Sequence, residues 1–152
     1  MPSLKSKNKP LIWLLDDPNR EKQHAMNYTN NPDALNEYNR IVDALYNIVE
    51  TKSLSETELR VLIGSLKSRF KFVYESAGRR LVQLSHYFPE AGTALLELMK
   101  NPKAIIRVRV VQALWSDIPP KEITDEILAL GARDRSKKVR EFATDRREMI
   151  YG

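Results

Sequence analysis

The side chains that could carry out chemistry in this sequence are its two histidines and its carboxylates, because the chain contains no cysteine. His24 and His86 each stand alone, without a second ligand at the helical spacing that a metal site needs. Adjacent carboxylates such as Asp125 and Glu126 point about 100° apart on a helix, so they do not form an acid and base pair. The five glycines are scattered and form no phosphate-binding loop. The sequence therefore predicts no catalytic residue, no metal site and no cofactor, and we expect a protein that is not an enzyme.

The arginines and lysines form a second group of side chains that could act, in their case by binding a partner. The formal net charge is +5, and the C-terminal end is the more basic one. Such a charge could attract an acidic protein surface or phosphates, and it could equally be a solvated helix face. Seven basic residues fall in segments that are expected to be helical: Arg79, Arg80, Arg109, Lys137, Lys138, Arg146 and Arg147.

These basic segments belong to an internal repeat. Residues 68–81, 101–114 and 134–147 align without a gap, each window starting 33 residues after the last. The first column, Ser68, Asn101 and Asp134, holds residue types that cap helix N-termini, and Pro102 suits the first helical position. Apolar residues follow at helical spacing, so each window predicts a helix with one buried stripe. The predicted core is Leu62, Val73, Ala77, Leu81, Leu95, Ile106, Val110, Leu114, Leu128, Val139 and Ala143.

The residues that precede each window align at the same period and predict a partner helix for each one. Each partner helix ends on a cation, Lys67, Lys100 or Arg133, which suits the negative end of a helix dipole. Leu66, Met99 and Ala132 share one of its apolar columns. The period of 33 residues and the paired helices predict an all-α fold, an α-solenoid of about three to four antiparallel helix pairs.

The two ends of the chain depart from this pattern. Residues 33–49 predict one further helix, which would be half of a degenerate first pair. The apolar run at residues 11–15 is expected to cap the open first face, or to form a short strand. At the other end Arg146 and Arg147 stand where an interior repeat would place Ala and Leu, as expected of a terminal cap. We therefore expect six or seven helices, with residues 1–54 as the N-terminal cap and degenerate first repeat and residues 55–152 as three repeats.

The second window resembles the second helix of HEAT or PBS-lyase-type repeats, a likeness carried by Asn101, Pro102, Ile106, Arg107 and Val110. The other two windows match the same pattern in part, so the resemblance covers about residues 56–147. It implies that the second helices line a concave face. It also implies that arginines at one repeat position, Arg107 and Arg140, are structural and reach an aspartate of the next repeat such as Asp134.

The expected partner-binding surface lies on the side of these second helices that faces away from the buried stripe. Arg79 points away from the core in the first window, and the 33-residue period carries that direction to Gln112 and Asp145. With their neighbours on the same helices, the predicted partner-binding residues are Arg79, Arg109, Gln112, Lys138, Glu141 and Asp145.

The repeat resemblance implies a binding module and leaves the partner open. A protein partner would suit an adaptor or a dedicated inhibitor of the bacterial antitoxin or immunity type, because carboxylates such as Glu141 interrupt the basic face and would repel phosphates. A nucleic-acid partner is the alternative, although aromatic residues are not interleaved with the cations. A remote resemblance to HEAT-like alkylpurine DNA glycosylases rests on Trp115 and Asp117, but Trp115 is expected instead to fill a gap between repeats.

No stretch approaches the roughly 20 apolar residues that cross a bilayer. The apolar run at residues 11–15 is too short for a secretory signal, and Asp16 and Asp17 follow at once. We therefore expect a cytoplasmic protein that does not contact a membrane.

Overall fold

The structure is a computed structural model that describes residues 11–15 and 17–152 of the chain. Over these residues the fold is all-α, with one 3₁₀ helix, eight α-helices and no strand. The α-helices are α1 (Pro18–Ala25), α2 (Pro32–Thr51), α3 (Glu56–Leu66), α4 (Lys71–Leu84), α5 (Pro89–Leu98), α6 (Ala104–Gln112), α7 (Lys121–Ala132) and α8 (Lys137–Tyr151). The chain divides into two compact units, an N-terminal unit up to Arg80 and a C-terminal unit of Leu81–Gly152.

The N-terminal unit corrects two expectations. The apolar run predicted as a possible strand is a 3₁₀ helix, Leu11–Leu14, which packs on α2 and buries Leu14 and Leu15. Five apolar residues carry no period that separates strand from helix, which is why the sequence left this open. The helix count is also higher than six or seven, because α1 forms where Asp17 accepts hydrogen bonds from the Asn19 and Arg20 amides.

The remaining helices of the N-terminal unit begin where their sequences predict. Asn31 accepts hydrogen bonds from the first amides of α2, and Pro32 occupies the first turn. Ser55 does the same for α3 through the Glu58 amide. Helix α2 packs on both α1 and α3 and buries Tyr38, Ile41 and further residues at helical spacing. The unit is therefore organised around α2.

In the C-terminal unit, helices whose sequences align at a spacing of 33 residues contact each other. Helix α5 packs on α6, and α7 packs on α8. In addition, α5 packs on α7 and α6 packs on α8. Gly131 lies at the closest approach, because a Cβ added there would stand 2.8 Å from the Cβ of Ala143. Helices α7 and α8 can pack this closely only because that position carries no side chain.

The second helices start at Lys71, Ala104 and Lys137, which keeps the 33-residue period but places each start two residues later than expected. Ser68, Asn101 and Asp134 do not cap these helices. Each accepts a hydrogen bond from the amide two residues ahead, at 3.1, 2.9 and 2.8 Å, and so forms the turn before the helix. Consequently Pro102 lies in that turn and not in the first helical position.

The predicted core is confirmed, since all eleven residues are buried: Leu62, Val73, Ala77, Leu81, Leu95, Ile106, Val110, Leu114, Leu128, Val139 and Ala143. One aligned apolar position departs from its column. Leu66 and Met99 are buried, whereas Ala132 is exposed because the adjacent Gly131 faces α8.

Two adjacent isoleucines on α6 differ in burial, which gives a stability prediction with a matched control. Ile106 is 4% exposed and Ile105 is 46% exposed, although they stand side by side in the chain. Changing Ile106→Ala should lower the free energy of unfolding by about 2 to 5 kcal/mol, because the lost transfer energy adds to the cost of a cavity. Ile105→Ala should cost far less. Urea unfolding of both variants checks this, and equal losses would show that the buried stripe is assigned to the wrong face.

Candidate partner-binding surface

An ion pair in the C-terminal unit joins α6 to the turn before α8. Arg107 donates from Nε to Oδ2 of Asp134 at 2.8 Å and from Nη2 to Oδ1 at 2.9 Å. Both side chains are buried. Two parallel charge-assisted hydrogen bonds fix the relative position of the groups as well as attracting them. The expectation that Arg107 is structural and reaches Asp134 is confirmed.

The same arginine makes a second contact that recurs 33 residues later in the chain. Arg107 donates from Nη1 to the carbonyl oxygen of Asn101 at 2.7 Å, and Arg140 donates from Nη1 to that of Asp134, also at 2.7 Å. In both cases the acceptor lies six residues before the arginine. Each arginine thus closes the turn that leads into its own helix. Each of these guanidinium groups thus has a structural role in the turn before its helix.

Four interactions favour the charged form of Asp134 and lower its pKa. The hydrogen bonds from Arg107 are the largest influence and lower the pKa of Asp134, and the Ser136 amide and the charges of Arg107 and Arg135 lower it further. Burial acts in the opposite direction but does not overcome these contacts. The carboxylate is therefore ionised over the whole neutral range and holds the turn and α6 together.

A second arginine cluster surrounds Arg146, near the C-terminal ends of α6 and α8. Arg146 is only 9% exposed. Its Nη1 donates to the Asp145 carboxylate at 2.9 Å and its Nη2 to the Gln112 carbonyl oxygen at 3.3 Å. Its guanidinium carbon lies 5.0 Å from the centre of the Trp115 ring and 5.9 Å from that of Phe142. We call these five residues the Trp115 cluster: Gln112, Trp115, Phe142, Asp145 and Arg146.

The predicted partner-binding residues are placed as follows. Arg79 is exposed on α4, in the N-terminal unit, and the other five lie in the C-terminal unit. Arg109 and Gln112 are half-buried on α6, whereas Lys138, Glu141 and Asp145 are exposed on α8. Arg146 brings Gln112 and Asp145 together, which the 33-residue period had aligned. Glu141 pairs with Lys137 at 3.8 Å on the same helix.

Two of the arginines expected on the basic face are internal. Arg80 is buried and donates to the Leu14 carbonyl oxygen at 2.8 Å, with Glu21 at 3.9 Å. Burial lowers the pKa of Arg80, and neighbouring Arg79 lowers it further. Arg146 is internal in the cluster just described, so it does not form the polar outer face of a terminal cap. In both cases the aliphatic stem packs inside while the charged head finds carbonyl or carboxylate oxygens.

Trp115 also departs from its expected position. The residue was expected to fill a gap between repeats, yet it is 62% exposed. It follows the end of α6, in a bend that directs the ring outward, over Arg146. Its position three residues beyond Gln112, just after the predicted helix, is the sequence signal that could have predicted its exposure.

Asp117, on which the remote resemblance to the glycosylases rests together with Trp115, is not exposed as Trp115 is. Its side chain is buried, accepts a hydrogen bond from the Ile118 amide at 2.9 Å, and lies 3.7 Å from the His86 ring. His86 is also buried, with Nε2 placed 2.6 Å from the Ile118 carbonyl oxygen. His86 thus contacts the turn before α7.

Comparisons of the chain with protein-family models, curated proteins and solved structures found no match. Within residues 11–15 and 17–152, no group of three or more His, Asp or Glu side chains is placed to hold a metal ion. Over the same residues no helix is both long and apolar enough to cross a bilayer.

The lowered pKa of Asp134 predicts how stability depends on pH. Asp134→Asn keeps an oxygen for the Ser136 amide but removes the charge that Arg107 binds. Because the folded-state pKa lies below the unfolded value of about 3.9, the contribution of the charge is complete above that pH and is lost as pH falls through the folded-state value. The difference in unfolding free energy between wild type and variant should therefore be constant near neutrality and shrink below about pH 4. Urea unfolding across pH measures it, and a difference that persists unchanged into strong acid would contradict this assignment.

Proposed function

We propose that this chain is a non-catalytic protein-binding module, built as a short HEAT-like solenoid, that meets its partner with the exposed sides of α6 and α8. The 33-residue spacing of the helix starts supports the interpretation as a repeat protein. The contacts between like helices, α5 with α7 and α6 with α8, support it as well. So does the repeated bond from Arg107 and Arg140 to the carbonyl six residues earlier.

The observation that carries the binding proposal is the composition of the exposed surface around the Trp115 cluster. Trp115 is exposed over Arg146, which is paired with Asp145, and helix α8 also exposes residues of both charges and an apolar residue, among them Lys138, Glu141 and Met149. Tryptophan and arginine are enriched at the centres of protein interfaces, where a few residues supply most of the binding energy. A mixed surface of this kind suits an adaptor or a dedicated inhibitor, and we place the protein in the cytoplasm.

Nucleic acid is the second candidate partner, and the exposed ring of Trp115 near cations is the feature that favours it. Three exposed carboxylates on α8, Glu141, Asp145 and Glu148, weigh against it, because they would repel a phosphate backbone. Binding of a random DNA duplex that weakens steeply with added salt would support this candidate. No binding at low salt would remove it.

Reversing two cations of the surface tests the protein-binding proposal. Arg109→Glu with Lys138→Glu should leave the chain folded, because neither residue belongs to the buried core, and urea unfolding of the double variant measures what the half-buried Arg109 contributes to stability. Capture of the partner by affinity purification from the native host, followed by titration of the purified pair, should show binding lost or weakened by about tenfold or more.

A control pair carries the same charge change elsewhere on the C-terminal unit. Lys100→Glu with Arg133→Glu alters two exposed cations in the turns after α5 and α7. This pair should keep full affinity. An equal loss of affinity in both double variants would show that the effect depends only on net charge. Full affinity in both would show that the functional surface lies elsewhere. Arg79→Glu is measured separately, because Arg79 lies in the N-terminal unit.

A further inference from the structure

The two turns that lead into α6 and α8 lie side by side at one edge of the C-terminal unit. Arg135, in the second turn, donates from Nη2 to the carbonyl oxygen of Pro102 in the first turn, at 3.3 Å. Arg107, near the start of α6, binds the carboxylate of Asp134 in the second turn. These contacts bring residues that are 33 and 27 positions apart in the sequence onto one surface.

Exposed cations are concentrated on this edge. Residues 97–107 and 133–141 contain eight Lys and Arg side chains but only three carboxylates. The net charge of these two segments equals the +5 of the whole chain, so the charges of all other residues balance. Six of the eight cations are exposed, and we call them the basic edge: Lys100, Lys103, Arg133, Arg135, Lys137 and Lys138.

The three carboxylates of these segments leave most of the basic edge unneutralised. Asp134 is buried and binds Arg107, which is also buried, so this pair adds no charge to the surface. The other two carboxylates are exposed and each lies near one cation of its own segment, Glu97 3.9 Å from Lys100 and Glu141 3.8 Å from Lys137.

Four cations of the basic edge have no carboxylate partner. Within residues 11–15 and 17–152, no ion pair involves Lys103, Arg133, Arg135 or Lys138. The hydrogen bond of Arg135 to the Pro102 carbonyl holds that side chain in place but does not neutralise its charge. Cations held on neighbouring turns repel one another, and a row of phosphates would neutralise them.

The composition of the edge favours a nucleic-acid duplex over a protein or a membrane. The two segments contain no aromatic residue, and Ile105 is their one large apolar side chain that is exposed. Centres of protein interfaces are rich in aromatic residues and poor in lysine. Stable binding to a membrane usually takes a second signal, such as inserted apolar groups, in addition to basic charge. Stacking on unpaired bases requires aromatic rings, whereas contacts with the phosphates of a duplex require only Lys and Arg.

We propose that the basic edge binds the phosphate backbone of a nucleic-acid duplex, independently of its base sequence. Side chains of both turns contact phosphates, and release of counterions from the duplex supplies the free energy of binding. This inference goes beyond the proposed function, because it assigns a second ligand to a surface away from Trp115. Asp145 and Glu148, which oppose nucleic acid near Trp115, lie eight and eleven residues beyond Lys137, about 12 and 16 Å along α8.

Binding of the full chain to a labelled, random-sequence DNA duplex tests the proposal. The affinity should fall steeply as salt is raised, because each phosphate contact releases counterions. Lys103→Gln with Arg133→Gln removes one unpaired cation from each turn. This pair should weaken binding at low salt by about tenfold or more, and it should lower the slope of log affinity against log salt by about 2, one for each lost contact.

A control pair makes the same charge change at the other ends of α7 and α8. Lys121→Gln with Arg147→Gln also replaces one exposed lysine and one exposed arginine, at the first residue of α7 and near the C-terminal end of α8. This pair should retain the wild-type affinity and salt slope. Circular dichroism and urea unfolding check that both double variants fold. Equal weakening by the two pairs, or no duplex binding at low salt, would overturn the proposal.

Three further probes decide between the duplex and other occupants. Polyglutamate represents an acidic protein segment, and vesicles that contain phosphatidylserine represent a membrane. Tighter binding of either probe than of the duplex would overturn the proposal. Oligo(dT) that binds more tightly than the duplex, and loses its affinity in Trp115→Ala, would place nucleic acid at the Trp115 cluster and overturn it as well.

The two proposals can fail separately. Lys103→Gln with Arg133→Gln should leave capture of a protein partner unchanged. If the duplex binds at the basic edge but no captured protein depends on Arg109 and Lys138, the proposed function fails and this inference stands. If a captured protein depends on Arg109 and Lys138 but no duplex binds, this inference fails and the protein-binding module stands.

Discussion

The bidentate ion pair between Arg107 and Asp134 is the interaction on which the placement of α8 depends. Asp134 accepts from Arg107 with both carboxylate oxygens and also from the Ser136 amide, so one side chain fixes the turn and ties it to α6. Because both groups are buried, removing either would leave an uncompensated charge away from water, at a cost of about 3 to 5 kcal/mol. The position of α8 against α6 in turn places Arg146 beneath Trp115. A contact at one end of the helix thus supports the surface at the other.

Several arginines of this protein bind groups inside the fold and do not act as surface charges. Arg107, Arg140 and Arg146 direct their guanidinium groups at backbone carbonyls or nearby carboxylates and hold elements together. Arg80 does the same in the N-terminal unit. A rigid planar group with five donors is well suited to this task, since it satisfies several acceptors at once. The basic character of the sequence therefore overstates the charge that faces solvent, and the surface available to a partner is mixed and not simply cationic.

The features that could be predicted from the sequence are those that depend on local periodicity. Helical spacing placed all eleven core residues correctly, and the 33-residue period survived as the spacing of the helix starts at Lys71, Ala104 and Lys137. The contact of Arg107 with Asp134 was expected from the resemblance to HEAT repeats and not from periodicity, and the two side chains do meet. The turn chemistry could not be predicted, because Ser, Asn and Asp serve equally as caps and as turn residues, and only the backbone decides which amide they reach.

The candidate surface was predicted in part. The exposed edge of α6 and α8 contains five of the six expected residues, and Gln112 and Asp145 meet through Arg146 as the alignment implied. The burial of Arg80 and Arg146 and the exposure of Trp115 were missed. A long arginine side chain can turn inward wherever a carbonyl oxygen is free, and a residue beyond a helix end no longer follows helical spacing. Neither fact is visible in a hydrophobic pattern.

A double-mutant cycle on Arg107 and Asp134 measures whether their ion pair holds α8 against α6. Arg107→Met and Asp134→Asn are measured singly and together by urea unfolding at neutral pH. The structure predicts that each single change is strongly destabilising and that the double variant loses less than their sum, with a coupling energy of roughly 1 to 3 kcal/mol. Losses that add to within about 0.5 kcal/mol would show that the two side chains do not interact, and that α8 is held against α6 in another way.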